Sequence, residues 1–278
     1  TPKPSSAASD VYKRQAVDMD GTFLNSNNDY DREAFLELFK KLKAKEVRFV
    51  VASGNQYAQI SSFFPEIWRE ITFVSENGGL VFEKGNLLIK KTIAKPIIQD
   101  TLTLLENTFY KVGIILCGVK SAYILKSENA DLKKEAAKYY FALKEIDLFQ
   151  DLPDDEWVKI ALQLEDKNAF SIIDLMNEKN NSQLKAVYSG HGSVDLIANE
   201  VNKGNTLMQL LNQWEIKPEQ FLAFGDSNND LEMLELAGYS YSMANASEQV
   251  DRVAKYQAPS NDENGVISTI NALFDKLG

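Results

Sequence analysis

The chain is poor in the residues on which several large enzyme classes depend. It has one histidine, His191, and one cysteine, Cys117, among 278 residues. A metal centre built from several histidines is therefore excluded. A serine–histidine–aspartate triad would have to recruit His191 from a Gly-His-Gly stretch that reads as a turn or hinge. A lone cysteine forms no intramolecular disulfide, so Cys117 is expected as a small core residue in a reducing cytoplasm. No arginine follows Cys117 closely, which removes a thiolate-based phosphatase, and no G-x-x-x-x-G-K-[ST] occurs, which removes a P-loop. No apolar run approaches the roughly 18 residues that span a bilayer. Basic residues are outnumbered, 30 against 40 acidic, for a formal net charge of -10. Neither a nucleic-acid backbone nor an anionic membrane surface is an expected partner.

What is present suffices for a globular fold. Hydrophobic residues make up 44% and charged residues 25%, enough for a core that needs no disulfide or structural metal. The length suits one large or two modest domains, in a monomer or weak homo-oligomer. Residues 1–15 contain no apolar stretch of the signal-peptide kind and read as a non-native or disordered tail. Lys13, Arg14 and Gln15 then lead into Ala16-Val17, where a buried strand would want apolar residues. Lower stability than a chain with an apolar start is expected.

Both ends of the chain alternate apolar strands with amphipathic helices. Ala16-Val17 runs into Asp18, and Phe35, Leu38, Phe39 and Leu42 recur at helical spacing. The apolar stretch 47–52 ends at Ser53-Gly54, a helix is predicted over 57–64, and 71–74 reads as a strand. Farther on, strands are predicted over 194–197, 221–224 and 239–243, and helices over 205–214, 231–236 and 266–277. This alternation predicts an α/β core with a Rossmann-like, doubly wound parallel sheet. The middle differs, with a hairpin over 80–89 and then two β-β-α-like sets. It predicts an inserted α+β unit at 83–189, with the core made of 16–82 and 190–278. The aromatics Tyr139, Tyr140, Phe141 and Trp157 are expected in the core of that unit, and 151–156 as a solvated loop.

Four short segments outside the insert carry chemistry. They are Asp18-Met19-Asp20-Gly21-Thr22, Ser53-Gly54-Asn55, Lys203-Gly204 and Gly225-Asp226-Ser227-Asn228-Asn229-Asp230. Alone, each is an ordinary turn or surface dipeptide. Together they are not, because three end a predicted strand and the fourth starts a helix, where ligands of open parallel sheets gather. Asp18 and Asp226 offer the oxygens that magnesium prefers. The Ser53 hydroxyl, the Asn229 amide and the Lys203 ammonium can hold phosphoryl oxygens, and positioning with charge stabilisation does most of the work in phosphoryl transfer.

In this order the four segments resemble the haloacid dehalogenase superfamily. The long interval between Ser53 and Lys203 resembles its Cof-type branch, whose C2 cap is inserted there. More narrowly, V-V-A-S-G-N-Q-Y, S-F-F-P-E, S-E-N-G-G, S-G-H-G-S-V-D-L-I and G-D-S-N-N-D are similar to bacterial Cof-type sugar phosphatases. The resemblance implies a magnesium-dependent phosphatase acting through an aspartyl-phosphate. It implies Asp18 as nucleophile and Asp20 as general acid and base. Mg2+ would be held by the Asp18 carboxylate, the Asp20 main-chain carbonyl and Asp226. Ser53, Gly54, Lys203 and Asn229 would bind phosphate, and Asp230 would support Lys203 or the metal from behind. Many relatives carry arginine where this chain has Asn55, which reads as a subgroup feature. A phosphorylated small molecule, a sugar phosphate above all, is the implied substrate. A phosphotransferase or phosphomutase on the same scaffold is the alternative, and a non-catalytic metabolite-binding regulator a third. The insert is expected to close over the core and select the substrate.

Overall fold

Apolar periodicity sets the elements of the first third of the chain, β1 (Arg14–Val17), α1 (Arg32–Ala44), β2 (Arg48–Ala52), α2 (Tyr57–Ser62), β3 (Thr72–Ser75), β4 (Leu80–Glu83) and β5 (Asn86–Lys90). In α1, Phe35, Leu38, Phe39 and Leu42 form one buried face, and the Asp31 side chain caps the helix by accepting from the Ala34 N–H. The computed structural model describes residues 13–108, 112–164, 166–179, 183–190 and 192–277. Residues 1–12 of the expected tail and His191 lie outside them.

The middle of the chain supplies α3 (Lys95–Thr108), β6 (Gly113–Gly118), β7 (Ala122–Leu125), α4 (Ala130–Tyr139), β8 (Leu143–Ile146), β9 (Trp157–Gln163), α5 (Asp166–Lys179), β10 (Leu184–Gly190) and β11 (Ser193–Ala198). The last part gives α6 (Lys203–Gln213), β12 (Phe221–Gly225), α7 (Leu231–Leu236), β13 (Tyr239–Met243), α8 (Glu248–Val253), β14 (Tyr256–Ala258) and α9 (Gly265–Leu277). Two sheets result, one ordered β14-β13-β12-β1-β2-β3-β4-β5 and the other β10-β11-β9-β6-β7-β8. In the first sheet every pair from β14 to β3 is parallel, and β4 and β5 add an antiparallel edge.

Strands buried on both faces explain the near-continuous apolar runs. Val17, Phe49, Val51, Phe73 and Phe224 pack on one side with α1 and α9 residues, whereas Ala16, Val50, Val74 and Ala223 pack on the other with Leu207, Leu210 and Met233. The second sheet packs α3 and α5 residues on one face and α4 residues on the other. Leu80 of β4 joins Ile115, Cys117 and Val158 in that last cluster, so the two sheets share apolar contact.

Three expectations need correction. Residues 83–90 belong to the first sheet, because the hairpin pairs with β3 in the register Ser75↔Leu80. Residues 193–198, expected in the core, pair with β9 and β10 of the second sheet. An apolar strand shows its burial in sequence but not its partner, so both boundaries shift. Thirdly, Arg14 and Gln15 lie in β1 and not in a tail, since the ladder to Phe221 and Leu222 uses backbone groups only.

The chain crosses between sheets twice, tightly each time. The Lys91 N–H still donates to the Gly79 carbonyl, and the Ile93 N–H already donates to Trp157 of β9. On the way back, the Asn199 N–H donates to Gln183, and Asn202 caps α6. Lys91 Nζ reaches Thr206 Oγ1 at 3.1 Å, and Thr206 donates to the Gly78 carbonyl at 2.8 Å.

The expected liability of β1 rests on Arg14 Nε and Gln15 Nε2, both buried without a hydrogen-bond partner among the described residues. Arg14 spreads its guanidinium over the Trp214 ring at 5.1 Å. Gln15 is 1% exposed among Val47, Leu222, Ile270, Leu273 and Phe274, and its Nε2 finds no partner among the described residues. An unpaired buried amide costs about 1–3 kcal/mol. Gln15→Leu is therefore expected to raise the melting temperature by several degrees, as read by thermal denaturation. An unchanged or lower value would refute the assignment.

Candidate active site

Strands β12, β1 and β2 are parallel neighbours, so their carboxyl ends open at one edge of the sheet, where the chain order reverses. Asp226, Asp18 and Ser53 leave those three ends. Lys203 begins α6 and is fully buried; a cation at a helix N-terminus is unfavourable by itself. Two carboxylates compensate, with Lys203 Nζ donating to Asp18 Oδ1 at 2.6 Å and to Asp230 Oδ1 at 2.7 Å. The other oxygen of Asp230 accepts the Asp226 and Ser227 N–H groups at 3.0 and 3.1 Å.

Asp226 is fixed by the Thr22 hydroxyl at 2.8 Å and the Ser227 hydroxyl at 2.8 Å. Gly21 has a φ of 75°, and a Cβ there would stand 2.6 Å from Asp226 Oδ2, so the turn needs glycine on both counts. Asp20 has one side open to solvent while the surrounding site shields the rest of its carboxylate, and it accepts from Asn55 Nδ2 at 2.7 Å. The Asn55 N–H donates to Ser53 Oγ at 3.1 Å, whereas the Gly54 N–H makes no hydrogen bond among the described residues. Asn229 Nδ2 donates to Asn77 Oδ1 at 3.2 Å. The four segments thus stand around the carboxyl ends of β12, β1 and β2 and the start of α6.

Charge is unbalanced there, with four carboxylates (Asp18, Asp20, Asp226, Asp230) around the Lys203 ammonium. Burial pushes Asp18 well above the usual carboxylate range, although Lys203 pulls the other way. Burial also raises Asp20, against Lys203 and the Asn55 hydrogen bond, and it pushes Asp226 up to about 6, helped by the charge of Asp230. For Lys203, burial lowers the pKa, and Asp18 and Asp230 more than reverse this. Carboxylate oxygens of Asp18, Asp226 and Asp230 lie within 4.8 Å of one another, a spacing that a single cation could bridge. Asp18 Oδ2 makes no hydrogen bond among the described residues.

The motifs alone missed several contributors. Thr22 lay inside a quoted motif, with only its hydroxyl as a signal. Asn245 Nδ2 donates to the Gly21 carbonyl at 2.7 Å, and nothing in its surroundings flagged it. Gln56 bonds both backbone groups of Ala142, at 3.0 and 2.8 Å, and so ties the second sheet to the loop beside Asp20. Of the aromatics expected in the core, Tyr140 and Trp157 are buried, but Tyr139 and Phe141 are 42% and 56% exposed. They sit at and just past the end of α4, where the chain turns toward Gln56. After burial and Glu135, the charge of Asp20 is among the causes that raise Tyr139.

A family model described as haloacid dehalogenase-like hydrolase matches residues 15–270. The 5-amino-6-(5-phospho-D-ribitylamino)uracil phosphatase YbjI of Escherichia coli (strain K12) is 42% identical over 263 residues, covering 93% of this chain and 95% of that protein. The solved structure of SMU.1108c from Streptococcus mutans UA159 is 37% identical, with a TM-score of 0.90 and coverage of 95% and 99%. The subclass IIB sugar phosphatase BT4131 shares the fold, with a TM-score of 0.80 at 19% identity and coverage of 95% and 99%. The chain belongs to the haloacid dehalogenase-like hydrolases and is a phosphatase of small phosphorylated molecules.

Proposed function

We propose that the chain hydrolyses the phosphate ester of a sugar or sugar alcohol, with Asp18 as nucleophile. The observation that carries this reading is the pairing of Asp18 with Lys203 at 2.6 Å, which orients the carboxylate and leaves Oδ2 without a partner among the described residues. Lys203, the Ser53 hydroxyl, the Gly54 N–H and the Asn229 amide would take the phosphoryl oxygens. Asp18 Oδ2 attacks phosphorus, and the ester P–O bond breaks. Asp20, which burial keeps more readily protonated, gives its proton to the departing alkoxide. The Asp20 carboxylate then takes a proton from water, whose oxygen attacks phosphorus. The bond to Asp18 breaks, and inorganic phosphate leaves.

The surplus of carboxylates fits a hard divalent cation. Asp18, Asp226 and the Asp20 main-chain carbonyl would hold Mg2+, since the Asp230 oxygens are occupied by Lys203 and backbone amides. When bound, the ion neutralises charge between the carboxylate and the phosphate it approaches. The six-stranded unit would serve as the cap, with Tyr139 and Phe141 beside the mouth. The name of the Escherichia coli relative contains a phosphorylated ribityl chain, which supports a polyhydroxy substrate.

A phosphate-release screen over hexose, pentose and sugar-alcohol phosphates tests the reading. Free phosphate is expected in stoichiometric yield, with at least about a hundredfold loss after chelation. Added magnesium is also expected to raise the melting temperature, because only the folded chain gathers the carboxylates. Phosphate transferred to another hydroxyl would point to the phosphotransferase. No release from any ester would sink both readings.

A further inference from the structure

The turn carrying Ser53 and Gly54 is not held by its own sheet alone. The Asn77 N–H donates to the Ser53 carbonyl and the Glu76 N–H to the Asn55 carbonyl, both at 3.1 Å. Glu76 and Asn77 adopt left-handed backbone angles, with φ of 51° and 56°, a conformation disfavoured for side chains with a Cβ. Both are buried, and both reach into the six-stranded unit. Glu76 pairs with Lys159 of β9 at 2.8 Å, and Asn77 Nδ2 donates to Asp195 Oδ2 of β11 at 2.9 Å.

The return contacts fall on the proposed phosphate-binding groups. Lys159 Nζ donates to the Gly54 carbonyl at 3.0 Å and approaches Asp195 at 3.4 Å. Asn77 Oδ1 accepts from Asn229, and a Cβ on Gly54 would stand 3.0 Å from that same oxygen. One amide side chain therefore accepts from Asn229 and closes off the space beside Gly54, and it is itself held by Asp195. Lys159 stays charged in this buried place, because Asp195 and Glu76 raise it more than burial lowers it.

We propose that Asn77, anchored by Asp195, is a positioning residue for the phosphate-binding groups of Gly54 and Asn229. On this account the phosphate pocket is complete only with the six-stranded unit, which supplies Asp195 and Lys159. The proposal rests on the phosphatase reading above.

Asn77→Gly tests it, because glycine keeps the left-handed turn and removes the side chain with its amide. Binding of inorganic phosphate, measured by calorimetry with magnesium present, is expected to weaken about tenfold in Asn77→Gly and in Asp195→Ala. The double variant is expected to lose about the same tenfold, since both changes break one path. Asp195→Asn, which keeps an acceptor toward Asn77, is expected to recover most of the affinity, and Asn77→Gly carries the test by itself if Asp195→Ala does not fold. A lowered melting temperature with unchanged phosphate affinity would make the cluster merely structural and overturn the proposal. Losses that multiply in the double variant would overturn it too. If the parent protein binds no phosphate, the phosphatase reading falls and takes the proposal with it.

Discussion

Asp18→Asn is expected to cut phosphate release by at least about a thousandfold while the protein stays folded. The substitution is nearly isosteric, and the amide oxygen can still accept from Lys203 where Asp18 Oδ1 does now. What disappears is the second carboxylate oxygen, the one without a hydrogen bond among the described residues. An amide in its place is a poor nucleophile toward phosphorus. Phosphate affinity should survive, because the groups assigned to the phosphoryl oxygens are untouched. Steady-state release of phosphate, with calorimetric binding as the control, separates chemistry from binding. A variant that retains a tenth of the parent rate would remove Asp18 from the mechanism.

Lys203→Met is the second large effect, and it should appear in stability as well as in rate. Methionine fills a similar volume, but Asp18 and Asp230 lose their shared cation in a site where Lys203 and Asp230 have no exposed surface. Removing one partner of a buried ion pair costs about 3–5 kcal/mol. Asp230 also holds the amides of Asp226 and Ser227, so the damage should spread along that loop. Burial already raises Asp18, and Lys203 is the group that opposes this. Asp18 already takes up a proton more readily folded than unfolded, and without Lys203 it does so at a still higher pH than in the parent. The stability deficit should therefore narrow as the pH falls from about 7.5 to about 5. Urea titrations of parent and variant at both pH values provide the check. Equal stability at neutral pH would contradict the buried-pair account.

Much of this arrangement was legible in the chain before any coordinates. Strand ends announce themselves when an apolar run stops at Asp18, Ser53 or Asp226, and helix periodicity set α1, α6 and α9 to within a few residues. Three small peripheral elements were not legible, although the edge strands β5 and β10 were. Strand β8 places Lys144 and Glu145 at its centre and pairs on one side only, β14 is three residues long, and α8 buries Val250 alone. Elements with so little buried surface leave a weak pattern. The insert boundaries slipped for a related reason, since β11 carries the same alternation whichever sheet receives it. Lys159 and Asp195 did leave a trace, as single charges inside the apolar runs W-V-K-I-A-L and V-D-L-I. Such a charge signals a buried counter-charge, but its partner Glu76 lies in a distant loop that only tertiary structure brings near.

The two tight crossings between the sheets carry a mechanical implication. A body joined to another by a single long tether can drift in any direction. One joined at two close, hydrogen-bonded points can only swing about the line through them, once side-chain links such as Gln56 to Ala142 and Asn77 to Asp195 release. Lys91 and Asn202 mark those points, and Thr206 links their neighbourhoods through Lys91 and Gly78. The residue immediately after Asn202 is Lys203. The axle of any such swing thus runs beside the ammonium that orients Asp18, so travel is greatest at the far rim and least at the nucleophile.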